Sequence, residues 1–192
     1  MRIADAVGPL RMVFWGGIIC VFDLKINNFD LFHDFVGMLL IAIGVFKLSA
    51  YSDEDRFPSY MTFCKIVALC CCIEALPIQW PSELSFAFML LGLAAMIATV
   101  LFCISMRQLC GEHQLDSAES SWRTTTTLFT VIYLIPLGLF YIAAFFAILT
   151  GSSFHINLGP FGLILIPVFF WPFIHLFIST SRMKSEAELS WA

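Results

Sequence analysis

The chain has 192 residues, of which 60% are hydrophobic and only 12% charged, and its mean hydropathy is +0.90. A soluble domain carries about 25% charged residues, so a water-facing fold of this length lacks the polar side chains to cover itself, and lipid is the expected solvent. A net charge of −4 and a pI near 5.4 exclude the basic surface that marks nucleic-acid binding, and no polybasic run points to lipid-headgroup capture.

The length suits a single integral membrane domain over residues 1–192. The expected fold class is all-α, a polytopic transmembrane helical bundle of six spans, with five as the alternative. Residues 12–22 form an apolar stretch that is too short to cross unless the helix starts near Ala6 and carries Arg11 inside it. Arg11 and the lack of a small-residue cleavage site set this stretch apart from a signal peptide, and it reads as retained. Residues 23–34 alternate polar groups with large apolar ones, a pattern suited to a loop lying in the interface or folding partly into the bundle. Residues 35–51 are at the lower length limit for a span.

Residues 60–80 carry Lys65 near the start, where its stem can reach the interface, and Glu74 near the end. Residues 84–106 and 128–149 contain no charge and are long enough to cross about 30 Å of hydrocarbon. The polar segment between them, residues 107–127, is expected to start a short surface helix at Asp116, Ser117, Glu119 and Ser120. Thr124 to Thr127 are then expected to cap the following span. Residues 161–178 hold Pro167, Pro172 and His175, which predicts a kinked helix. Ala94 with Ala98, and Ala143 with Ala147, offer small residues four apart for close helix contact.

Positive charges set the orientation. With six spans, Arg2, Arg11, Lys47, Arg56, Lys65, Arg107, Arg123, Arg182 and Lys184 fall on one side and Lys25 alone on the other, so both termini are expected in the cytoplasm. If the first stretch does not cross, Arg2 and Arg11 join Lys25. Trp80 at the outer end of the third span, with Tyr51, Tyr60 and Trp122 near inner ends, is where amphipathic rings favour headgroups.

The same orientation puts Asp23, Asp30, Asp34, Glu74 and Glu83 on the outer face against Lys25, which concentrates the whole formal charge there. Such a face can gather cations or protons before a pore, or the acids can simply keep exposed loops in water. Asp30, His33 and Asp34 are close enough to share a cation if Asp30 begins the second helix, since Asp30 and Asp34 then stand at i and i+4. The competing reading is that acids complement the helix dipole and cap its start, and whether a metal binds is left open. Glu74 is the acid set inside a long apolar stretch, a candidate proton acceptor unless it merely reaches water. His175 is a candidate relay or ligand contact, against a plain hydrogen bond to a neighbouring carbonyl. His155 lies with Ser152 and Ser153 in one short outer loop, with no third group to orient a catalytic pair.

The seven Cys are mostly inside apolar stretches and read as small buried hydrophobes. Cys70, Cys71 and Cys72 point about 100° apart on a helix and cannot share one metal. No zinc-protease, phosphate-loop, nucleophile-elbow or dinucleotide signature is present, which lowers the expectation of an enzyme, and no cofactor is expected.

The run Phe22-Asp23-Leu24-Lys25-Ile26, followed by Phe29-Asp30-Leu31-Phe32-His33-Asp34-Phe35-Val36-Gly37, resembles an Asp-bearing loop recurring in small uncharacterised bacterial multi-pass membrane proteins. In those proteins F-D-I-x-I and F-D-I-L-P-D-F-I-G-Y join two apolar segments; here His33 stands where the pattern has Pro. The resemblance implies a bacterial cytoplasmic membrane protein and no particular activity. The leading functional expectation is a non-enzymatic structural or accessory subunit of a membrane assembly. Its partners are then the lipid bilayer and other membrane subunits or a second copy, with no nucleic acid. A small cation or proton transporter using the acidic outer face is the alternative, and an intramembrane enzyme a third.

Overall fold

The computed structural model describes residues 3–21, 25–26, 29–30, 34–51, 57–76, 78–150 and 161–189. Among them the chain forms helices α1 (Val7–Val21), α2 (Asp34–Leu48), α3 (Phe57–Glu74), α4 (Ser85–Glu112), α5 (Asp116–Phe129), α6 (Ile135–Thr150) and α7 (Phe161–Leu189). Short strands β1 (Lys25–Ile26) and β2 (Phe29–Asp30) pair antiparallel between α1 and α2. The π turn Thr130–Leu134 joins α5 to α6, so the described helices make six rods. Ser82–Glu112 and Asp116–Ala143 are long and apolar enough to cross a membrane. In the most apolar stretches of these two, only 17% and 6% of the residues are buried, whereas the core helix of a soluble domain hides its apolar face.

The rods form a closed ring in which each packs on its chain neighbours and α7 returns to α1. Contacts fix the alternation. Gly16 meets Gly37 while Pro9 and Val13 meet Gly44, so α1 and α2 are antiparallel. Phe102 meets Trp122 and Arg107 meets Glu119 between α4 and α5, and Phe129 meets Phe173 while Ala118 meets Glu186 between α5 and α7. The turn Ile3–Ala6 packs on α7, so the first and last described helices end together.

Glycine allows the closest of these contacts. A Cβ on Gly16 would stand 2.5 Å from the Gly37 carbonyl oxygen, and one on Gly37 would stand 2.5 Å from Cys20 Sγ. Seven residues further along α2, a Cβ on Gly44 would meet the Pro9 carbonyl at 2.7 Å. Between α3 and α4 the Cys64 thiol donates to the Ala98 carbonyl at 3.2 Å, with Ala94 packed beside the same core. Ala143 is half-buried; the Ala147 side chain lies outside the described residues.

Helix ends follow local chemistry. α4 closes with Leu115 N–H on the Cys110 carbonyl and Gln114 N–H on the Gly111 carbonyl, with Gln114 at φ 56° in the left-handed position usually held by glycine. Across the ring, Glu186 of α7 accepts the Ser117 and Ala118 N–H groups at 3.0 and 2.8 Å, satisfying the start of α5. The π turn sits just before Pro136, which cannot donate to the Ile132 carbonyl; Ile135 N–H reaches back to Thr130 instead.

One expectation is resolved and several are corrected. α1 starts at Val7 with Arg11 inside it, giving the longer of the two versions expected. Thr124 to Thr127 do not cap a span, because α5 runs from Asp116 through them; each hydroxyl donates to the carbonyl four residues earlier. α7 continues unbroken past residue 178 to Leu189. Trp122 is not at a headgroup surface but fully buried, edge-on to Phe102. Its neighbours in the tight core are Leu10, Leu48, Phe57, Met106, Leu109 and Met183, all at the end of the ring where the chain begins and ends.

Candidate functional site

Asp23 and His33 lie outside the described residues, as does the side chain of Asp30. The Asp30 backbone belongs to β2, where the register sets it opposite Lys25. α2 begins at Asp34, so Asp30 and Asp34 do not share a helix face and the i, i+4 cation arrangement does not form. The sequence signal for this is Asn27-Asn28 flanked by Ile26 and Phe29, which fits a strand pair better than a helix start. Asp34 is exposed in the first turn of α2, where an acid complements the helix dipole, and its carbonyl lies 3.7 Å from Cys20 Sγ.

Glu74 closes α3 and is half-buried. Its carbonyl accepts the Trp80 indole N–H at 3.0 Å, and the Trp80 ring packs edge-on to Phe88. Lys65 holds its ammonium 5.4 Å above the Phe46 ring centre. All seven Cys are free thiols, with Cys64, Cys71, Cys72, Cys103 and Cys110 buried. Among the described residues no three His, Cys, Asp or Glu side chains come together as a metal site.

His175 is the centre of the clearest polar constellation, between α5 and α7. Its Nδ1 lies 2.8 Å from Thr125 Oγ1, which lies 2.7 Å from Ser179 Oγ, which lies 2.8 Å from Ser121 Oγ. Thr125 Oγ1 also reaches the Ser121 carbonyl at 3.1 Å. Ser121, Thr125 and Ser179 are buried and His175 half-buried. The expected contact of His175 with a neighbouring carbonyl is replaced by one with a hydroxyl on the facing helix. About two turns further along the same seam, the Tyr133 hydroxyl donates to the Phe169 carbonyl. That carbonyl adjoins the one on Val168, which Pro172 leaves without its helical donor.

The ring surrounds an apolar cavity of about 210 Å³ to which every rod contributes, among them Gly17, Ile41, Val67, Ala98, Phe129 and Leu176. Of the polar groups on its lining, Thr99 donates to the Ala95 carbonyl at 2.9 Å and Cys64 to the Ala98 carbonyl. Neither Glu74 nor His175 lines it, although Phe173 and Leu176 on either side of His175 do. A lining of this character suits an apolar guest better than a polar one. Nothing in the hydropathy pattern marks it, because outward-facing and cavity-facing positions are both apolar. No family model matches the chain, nor does any curated protein or solved structure.

Proposed function

We propose that this chain is a six-span protein of a bacterial cytoplasmic membrane, with both termini cytoplasmic, that serves as a non-enzymatic structural or accessory subunit of a membrane assembly. One observation carries this reading. Val131, Ile135, Leu139, Ile142 and Phe146 are all exposed and recur every three or four residues along the second half of the α5–α6 rod. That spacing fits the seam of a helix packed lengthwise on another helix. α6 is tied to α4 by the Tyr141 hydroxyl on the Met89 carbonyl, on a different face, so the ridge remains turned outward.

The rival, a cation or proton transporter, requires Glu74 or His175 on a continuous polar path. Both stand off the central cavity, and the polar atoms around His175 satisfy one another. The accessory reading is tested by placing a photo-crosslinking residue at Leu139 in the full chain in its native membrane. A discrete adduct with another membrane protein, absent when the residue is at exposed Ile66 on α3, is the expected result. Lipid adducts alone at both positions would overturn it.

A further inference from the structure

The fold brings together two cations that are far apart in sequence. Arg11 of α1 and Lys184 of α7 line one groove of about 310 Å³, together with Ser181, Phe14, Trp15 and Phe177. Arg11 is exposed and has no acidic partner at ion-pair distance among the described residues. Lys184 meets Glu188 at 3.7 Å, with side chains 48% and 63% exposed, a pair too solvated to neutralise the groove. The α1–α7 seam is also the thinnest in the ring. It is closed by Phe14 against Phe177, ring centres 5.0 Å apart, and Phe14 lines both the groove and the central apolar cavity.

We propose that this seam binds one anionic phospholipid, its phosphate held by Arg11 and Lys184 and one acyl chain passing Phe14 into the central cavity. The proposal rests on reading the chain as membrane-embedded, with these cations at the cytoplasmic leaflet. Charge complementarity selects the headgroup: two basic groups and a free hydroxyl converge where the apolar surface ends. The cavity selects the tail. An apolar void of about 150 Å³ takes benzene, so about 210 Å³ holds the end of an acyl chain. The absence of a polybasic run conceals this site, because the fold supplies one cation from each end of the chain.

The test is native mass spectrometry of the full-length protein, extracted from vesicles containing equal phosphatidylglycerol and phosphatidylcholine with identical acyl chains. One retained phosphatidylglycerol is expected in preference to phosphatidylcholine. In the Arg11→Gln/Lys184→Gln variant, retention should fall roughly 30-fold, about 5-fold per cation. Lys47→Gln, an exposed cation at the same end of α2, should change nothing. Gly17→Leu fills the cavity from a position with no atom within 4 Å of its Cβ, and should weaken retention while the headgroup preference persists. Equal retention of both lipids, an equal effect of Lys47→Gln, or full retention in Gly17→Leu would each overturn the proposal. Release of the protein from membranes by alkaline carbonate would instead overturn the membrane reading, and is scored separately.

Discussion

Thr125 has one hydroxyl hydrogen and three polar neighbours, and the neighbour to which it donates sets the direction of the whole α5–α7 network. If Thr125 donates to the Ser121 carbonyl, then Ser179 and His175 Nδ1 must donate to Thr125, and the Ser121 hydroxyl donates to Ser179. His175 then carries its proton on Nδ1 and holds it in a structural bond. Thr125→Val keeps the volume but takes the hydroxyl away from three groups, Ser179 Oγ, half-buried His175 Nδ1 and the Ser121 carbonyl. It should cost about 1–3 kcal/mol, read as a lower midpoint of thermal unfolding in detergent, whereas Thr125→Ser should lose much less. The valine variant unfolding like wild type would show that the network holds nothing together. His175 was visible in the sequence as a polar group in an apolar span. Its partners were not, because Ser121, Thr125 and Ser179 look like ordinary helix-surface residues until the two helices are set side by side.

At the scale of elements, the α1–α2 hairpin depends on backbone contact. Its evidence in the sequence is Gly16, Gly37 and Gly44, but glycine is common in transmembrane helices, and only the register shows which glycines face a partner. Gly16→Ala forces a Cβ to 2.5 Å from the Gly37 carbonyl and 2.8 Å from Ile41 Cγ1. The helices must separate, at about 1–3 kcal/mol. Gly8→Ala on the same helix meets nothing within 4 Å and should be neutral or slightly stabilising. Thermal unfolding of the two variants side by side checks this, and equal midpoints would contradict it. Most rods are legible from hydropathy alone, whereas their ends are less so. The start of α5 at Asp116 was legible from its acids and serines, but its length was not, because its four consecutive threonines resemble caps. Their hydroxyls bond back to the helix instead, so the run continues without needing an external partner.

At the scale of the molecule, the six described rods close a ring that is tightly packed at the end where α1 begins and α7 ends, hollow at mid-height, and apolar on its outside. Composition alone points to lipid as the solvent. The cavity and the α1–α7 groove were illegible, since both arise from distant residues meeting across the ring. Even-numbered alternation has a consequence that side-specific labelling tests directly. In a background with all seven Cys replaced, single cysteines are placed at Gly8, at Leu189 and at Ile78, the last exposed between α3 and α4. A membrane-impermeant maleimide is then applied to intact and lysed cells. The six-span account predicts that Ile78→Cys labels in intact cells, while Gly8→Cys and Leu189→Cys label only after lysis. Labelling of Gly8→Cys together with Ile78→Cys in intact cells, or of all three regardless of lysis, would contradict it.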